Sequence, residues 1–146
     1  MYKRQSDYRG INRNDLAILY LAEDATETPL RLYSKSPERI FDQIATIVGF
    51  GLTDINDDGS AGVKNEVKLK VIGHDEEFVY LESPNRRHRS SCYGDSGGPV
   101  LIEEDNKTFI AGVLRTGSTD DCNRDDVSFY TRVDDEKRWI RRNQNR

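Results

Sequence analysis

The chain has 146 residues, enough for one domain with a buried core. Its 35% hydrophobic and 33% charged content set it apart from disordered chains. Its net charge of −4, from 22 basic and 26 acidic side chains, argues against a nucleic-acid binder, which shows a basic excess.

In chain order, the opening "MYKRQSDYRGINRND" lacks the apolar stretch of a signal peptide, and no later run approaches the about 18 residues of a membrane span. "DLAILYL" at 15–21 is nearly all apolar, which suits a strand buried on both faces. The polar segment 22–42, with Pro29 and Pro37, reads as a long connection. "IATIVGFG" at 44–51 is the next strand. "EVKLKVIG" at 66–73 alternates, with Val67, Leu69 and Val71 on one face and Glu66, Lys68 and Lys70 on the other. A turn at "GHDE" leads to "EFVYLES" at 77–83. Strands at "GPVLIEE", "KTFIAGVLR" and "VSFYTRV" follow. The tail "DDEKRWIRRN" breaks the alternation. Its early acids and late arginines suit a helix that turns Trp139 and Ile140 inward. Six short strands between residues 44 and 133, then a helix, predict an all-β sandwich or barrel.

Cofactor signals are weak. The cysteines, Cys92 and Cys122, are one disulfide or two thiols, and with His74 and His88 they match no zinc spacing. "DINDDG" places Asp54, Asn56 and Asp58 at alternate positions before Gly59, like the start of a calcium loop. The pattern then fails, because Asn65 holds the twelfth position and Glu66 falls one residue late. A solvated turn is expected there, and neither a metal nor a cofactor is predicted. "RRHR" at 86–89 reads as a solvated loop.

The stretch that carries chemistry is "GDSGGP" at 94–99. A serine hydroxyl is a poor nucleophile until a base activates it. Acyl transfer also builds charge on a carbonyl oxygen, which backbone N–H groups stabilise where glycines let the main chain come close. Ser96 stands among Gly94, Gly97 and Gly98. Its own N–H and that of Gly94 are expected to point at one spot.

"GDSGGP" resembles the nucleophile motif of the chymotrypsin/trypsin-like serine proteases, the family that serves as the standard template for a catalytic triad. "NDLAILYL" at 14–21 is similar to the strand that carries the family's aspartate, and "IVGFGLT" at 47–53 to the strand after its interdomain connection. "FIAGVLRTGS", "VSFYTRV" and "RWI" resemble the elements that close its second barrel. The resemblance implies a double β-barrel, here a complete second six-stranded barrel, the end of the first, and a C-terminal helix. Residues 1–21 would be the remnant of the first barrel, 22–43 the connection, and 44–146 the second barrel with its helix.

The resemblance also implies roles. Ser96 would be the nucleophile, Gly94 and Ser96 the oxyanion hole, and Asp15 the residue that orients a histidine. Cys92 and Cys122 would form a disulfide, worth about 3–4 kcal/mol in the chain-entropy model, and with it secretion or a periplasmic location. Asp95 would be the carboxylate that pairs with an ammonium freed by zymogen cleavage. Ser90 would form the base of the specificity pocket and Gly117 and Ser128 its walls, an uncharged and narrowed pocket for apolar or small side chains. The partner would be a peptide or protein substrate, with no nucleic acid and no membrane. Arg115 and Thr116 depart from the family, which has a small serine and an aromatic there.

Family order is His, Asp, Ser, and no histidine stands among the fourteen residues before Asp15. His74 and His88 follow Asp15 in contexts unlike the family's base. Three explanations are open. The sequence is the C-terminal part of a secreted protease, which is the expectation here. Alternatively it is a non-catalytic binding module, or half of a split enzyme whose partner chain supplies the histidine. Alone, the chain is expected to have little or no activity.

Overall fold

A computed structural model describes residues 15–85, 89–122, 124 and 126–144, and the backbone of 2–4. Nine strands and one helix appear among these residues: β1 (Tyr2–Arg4), β2 (Ala17–Leu19), β3 (Arg31–Leu32), β4 (Ile44–Gly49), β5 (Asn65–His74), β6 (Phe78–Glu82), β7 (Pro99–Glu104), β8 (Lys107–Gly117), β9 (Ser128–Arg132) and α1 (Lys137–Asn143).

Strands β4 to β9 form an antiparallel barrel in the order β8-β7-β4-β5-β6-β9, closed by pairing of β8 with β9. These are the six strands expected from residue 44 onward, followed by the expected helix. The alternation in β5 lands as its sequence requires: Leu69 and Val71 are buried, Val67 packs against the core, and Ile44, Thr46 and Val48 of β4 pair with Lys70, Lys68 and Glu66. Val79, Leu81, Val100, Ile102 and Tyr130 complete the interior. Burying each such side chain contributes about 1.5–3 kcal/mol, so the barrel holds itself together by its inward face. The β7–β8 hairpin turns on Asp105 and Asn106, both with positive φ (51° and 56°), as a two-residue turn between twisted strands requires.

The connection at 22–43 carries two structured pieces. β3 adds to β8 in parallel, pairing Arg31 with Phe109 and Leu32 with Ile110. A 3₁₀ turn over Pro37–Ile40 buries Pro37 and Ile40 under the barrel.

Two expectations need correction. "DLAILYL" is not buried on both faces: Leu16 is buried, but Leu19 and Leu21 are 71% and 66% exposed. β2 pairs with β1 alone, and no second layer covers its outer face among the described residues. The acids before α1 do not serve its first turn. Asp134 instead takes Arg132 bidentately, Nε at 3.0 Å and Nη2 at 2.7 Å. Trp139 and Ile140 are half-buried, while Asn143 is buried.

Candidate active site

Between β6 and β7 the chain makes a tight loop that presents Ser96 to solvent. Gly94 (φ 93°) and Gly97 (φ 85°) adopt backbone that other residues rarely reach, which is why glycines flank the serine. The Gly97 N–H donates to Leu114 O (2.9 Å), and the Leu114 N–H donates to Gly98 O (2.8 Å), pinning the loop to β8. The N–H groups of Gly94 and Ser96 donate to no acceptor among the described residues.

Beneath this loop the Asp95 carboxylate is held from two sides. Its Oδ1 accepts from the Gly51 N–H (2.7 Å) and its Oδ2 from the Cys92 N–H (2.8 Å). Side chains at 49 or 51 would prevent this, since a Cβ on Gly49 would lie 1.9 Å from Oδ1, and one on Gly51 2.5 Å from Tyr93 O. The pair "GFG" was therefore a legible signal for the seat of Asp95. That seat opens on a cavity of about 300 Å³ whose lining includes Asp95, Glu66, Arg89 and Ser90.

The disulfide is formed as expected: Cys92 and Cys122 are bonded, with Cα atoms 5.3 Å apart. It ties the serine loop to the segment between β8 and β9.

Of the three expected pocket residues, only Gly117 lines the cavity of Ser96, a recess of about 100 Å³. Ser90 opens on the larger cavity, and its hydroxyl donates to Ser91 O (3.0 Å) and Cys122 O (3.2 Å). Ser128 is fully buried and shares a 2.9 Å hydrogen bond with the Ser91 hydroxyl. Burial pushes the neighbouring Tyr130 phenol up, and its hydroxyl has no hydrogen-bond partner among the described residues.

Sequence reasoning missed Asp126. It is 4% exposed and lines the recess beside Ser96. One aspartate within "STDDCNRDD" carries no mark that separates it from the others, so only the fold identifies it.

Asp15 lies beside Arg115. Its Oδ2 is 3.5 Å from Arg115 Nε, whose side chain is 13% exposed and also lines the Ser96 recess. The sequence had flagged Arg115 as a departure without showing where it would point. A strand irregularity between Leu114 and Thr116 re-aims the chain at this residue. His74 sits at the end of β5, with Nε2 3.4 Å from Glu38 Oε1, and lines neither cavity. His88 lies outside the described residues. In the 54–60 loop, Asp54 Oδ1 accepts from Asn56 N (2.9 Å) and Asp57 Oδ1 from Gly59 N (2.9 Å), so carboxylates cap their own turn. No group of three or more His, Cys, Asp or Glu side chains is placed to hold a metal among the described residues.

A closed antiparallel barrel, a glycine-flanked exposed serine and a disulfide beside its recess define a protein of serine-protease fold. The family model for Trypsin matches residues 1–140, and the chain belongs to that family. It is 28% identical to Serine protease Hayan of Drosophila melanogaster over 87% of this chain and 24% of that protein. It is 26% identical to Serine protease 41 of Homo sapiens, over 93% of this chain and 49% of the relative. It is 27% identical to Phenoloxidase-activating factor 1 of Holotrichia diomphalia, over 89% and 40%. The chain thus spans between about a quarter and a half of these relatives. No helix among the described residues is long and apolar enough to cross a membrane.

Proposed function

We propose that the chain is the nucleophile-bearing part of a serine endopeptidase that cleaves peptide bonds through an acyl-enzyme on Ser96. The observation that carries this reading is the exposed Ser96 on a loop whose Gly94 and Ser96 N–H groups meet no acceptor among the described residues. In the proposed reaction the Ser96 oxygen bonds the substrate carbonyl carbon as a base takes its proton. The carbonyl oxygen, now negative, is met by the two N–H groups. Collapse breaks the C–N bond, the base returns the proton to the leaving amine, and water repeats the sequence to release the acid.

The base would be a histidine from a preceding segment of a longer protein, or from a partner chain, set in place by Asp15. The same element would cover Leu19 and Leu21. Asp95 would keep the serine loop in register, and an N-terminal ammonium would enter the cavity at its carboxylate. The disulfide supports an oxidising compartment, with secretion as the simplest route there. By itself the chain would show little or no hydrolysis.

A non-catalytic binding module is the second reading. It is favoured by one observation: the guanidinium of Arg115 already sits against Asp15, where an imidazole would be received. A fluorophosphonate probe separates the two. The peptidase reading expects one adduct on the native protein, absent in Ser96→Ala, and little labelling of this chain alone. A native, folded protein that never labels at Ser96 would leave the binding reading.

A further inference from the structure

We propose that Asn106 carries an N-linked oligosaccharide. The inference is independent of the peptidase reading. It rests on the secretory route proposed above, because the donor of that group meets only chains that enter the secretory compartment.

Asn106-Lys107-Thr108 is the single place in the chain where an asparagine is followed two residues later by serine or threonine, with no proline between. The fold puts it at the tip of the β7–β8 hairpin. Asp105 and Asn106 form the turn with positive φ, 51° and 56°, and Asn106 is exposed. Asparagine suits such a turn for its backbone alone. The turn makes no demand on Thr108, the second residue of β8, which stands across from Glu103.

The fold uses neither polar side chain. The Asn106 carboxamide and the Thr108 hydroxyl make no hydrogen bond among the described residues. Other turn residues are used in that way. Asp54, Asp57 and Asp75 accept from nearby backbone N–H groups, and Asn65 Nδ2 donates to Val63 O (2.9 Å). A bulky, hydrated sugar displaces no packing where the amide already stands in water.

The candidate active site is spared as well. β7 runs from the serine loop to this turn, roughly 17 Å at about 3.3 Å per residue. Neither Asn106 nor Thr108 lines the Ser96 recess or the cavity at Asp95. An oligosaccharide on the hairpin tip thus leaves the approach to Ser96 open. It also keeps this end of the barrel in solvent, so a partner or preceding segment docks clear of it.

In the transfer, Asn106 Nδ2 bonds the anomeric carbon of a lipid-diphosphate-linked oligosaccharide. The bond from that carbon to the diphosphate oxygen breaks and the lipid diphosphate leaves. One Nδ2 proton passes to a base of the transferase. The Thr108 hydroxyl marks the acceptor for that enzyme. The Cys92–Cys122 bond belongs to the same oxidising route.

The test digests the native protein from its source with a peptide-N-glycosidase in isotopically heavy water. That enzyme hydrolyses the glycosylated amide and leaves aspartate. The peptide containing position 106 should be missing in unmodified form before digestion. Afterwards it should read as aspartate there, with a heavy oxygen. In a secreting animal cell line, Asn106→Gln and Thr108→Ala should each lose the glycan mass. Thr108→Ser, which keeps the hydroxyl, should retain it. A native protein with its disulfide formed and Asn106 unmodified overturns the proposal. Reduced cysteines with Asn106 unmodified overturn it together with the secretory route. The wild-type digest decides even where a variant does not fold. Fluorophosphonate labelling of the same sample reports on the peptidase reading separately, so a glycan without labelling supports this proposal and ends that reading.

Discussion

Asp95 shows how single residues hold this site. Two backbone N–H groups, from Gly51 and Cys92, converge on its carboxylate, and the glycines at 49 and 51 make room for it. Asp95→Ala should cost about 1–3 kcal/mol for each donor left unsatisfied. Urea denaturation would show a lower midpoint with little change in slope. A stability loss below 0.5 kcal/mol, on the order of a neutral surface change, would contradict the assignment. A second residue-scale expectation concerns Asp75. Burial alone would raise its pKa, but the Tyr80 hydroxyl and the N–H groups of Phe78 and Glu77 outweigh that and hold the carboxyl below its ordinary value. Burial, with the same contact to Asp75 adding to it, pushes the Tyr80 phenol up to about 12. A depressed carboxyl stabilises the fold above its unfolded pKa, about 3.9, and that contribution is lost as pH falls through the folded value. Asp75→Asn should therefore destabilise at pH 7 more than at pH 3. Equal losses at both, measured by urea unfolding, would remove the linkage.

At the scale of elements, the barrel was largely legible and the recess was not. Period-two alternation in β5 and the apolar runs of β6 to β9 record which face is inside, because a strand has only two faces. Gly94 and Gly97 mark the serine loop by chemistry that other residues rarely supply. The segment 15–21 misled, because composition reports that a strand is apolar but not how many layers cover it. Leu16 found a place in the interior, and Leu19 and Leu21 did not. Asp126 meets the recess where the segment before β9 runs against Gly117 of β8, and the Arg115–Asp15 contact forms where the segment before β2 meets β8, and no local pattern encodes either. Leu69 lies at the centre of β5 with no exposed surface. Leu69→Ala should cost about 2–5 kcal/mol, and a loss under 1 kcal/mol, well outside that range, would mean the core is not packed around it.

Across the whole molecule, the Cys92–Cys122 bond joins the serine loop to the β8–β9 connection over a separation of 30 residues. Reduction should lower stability by about 3–4 kcal/mol if chain entropy dominates. Thermal unfolding with and without reductant measures this, and an unchanged midpoint would show that the bond adds nothing to the fold. In the proposed reading, a preceding segment or a partner would cover the exposed Leu19 and Leu21. The most direct measurement is the intact mass of the native protein from its source, before and after fluorophosphonate treatment. The account predicts a chain longer than 146 residues, or one bound to a partner, that gains a single adduct on Ser96. A folded native protein with no adduct under any assembly would contradict it.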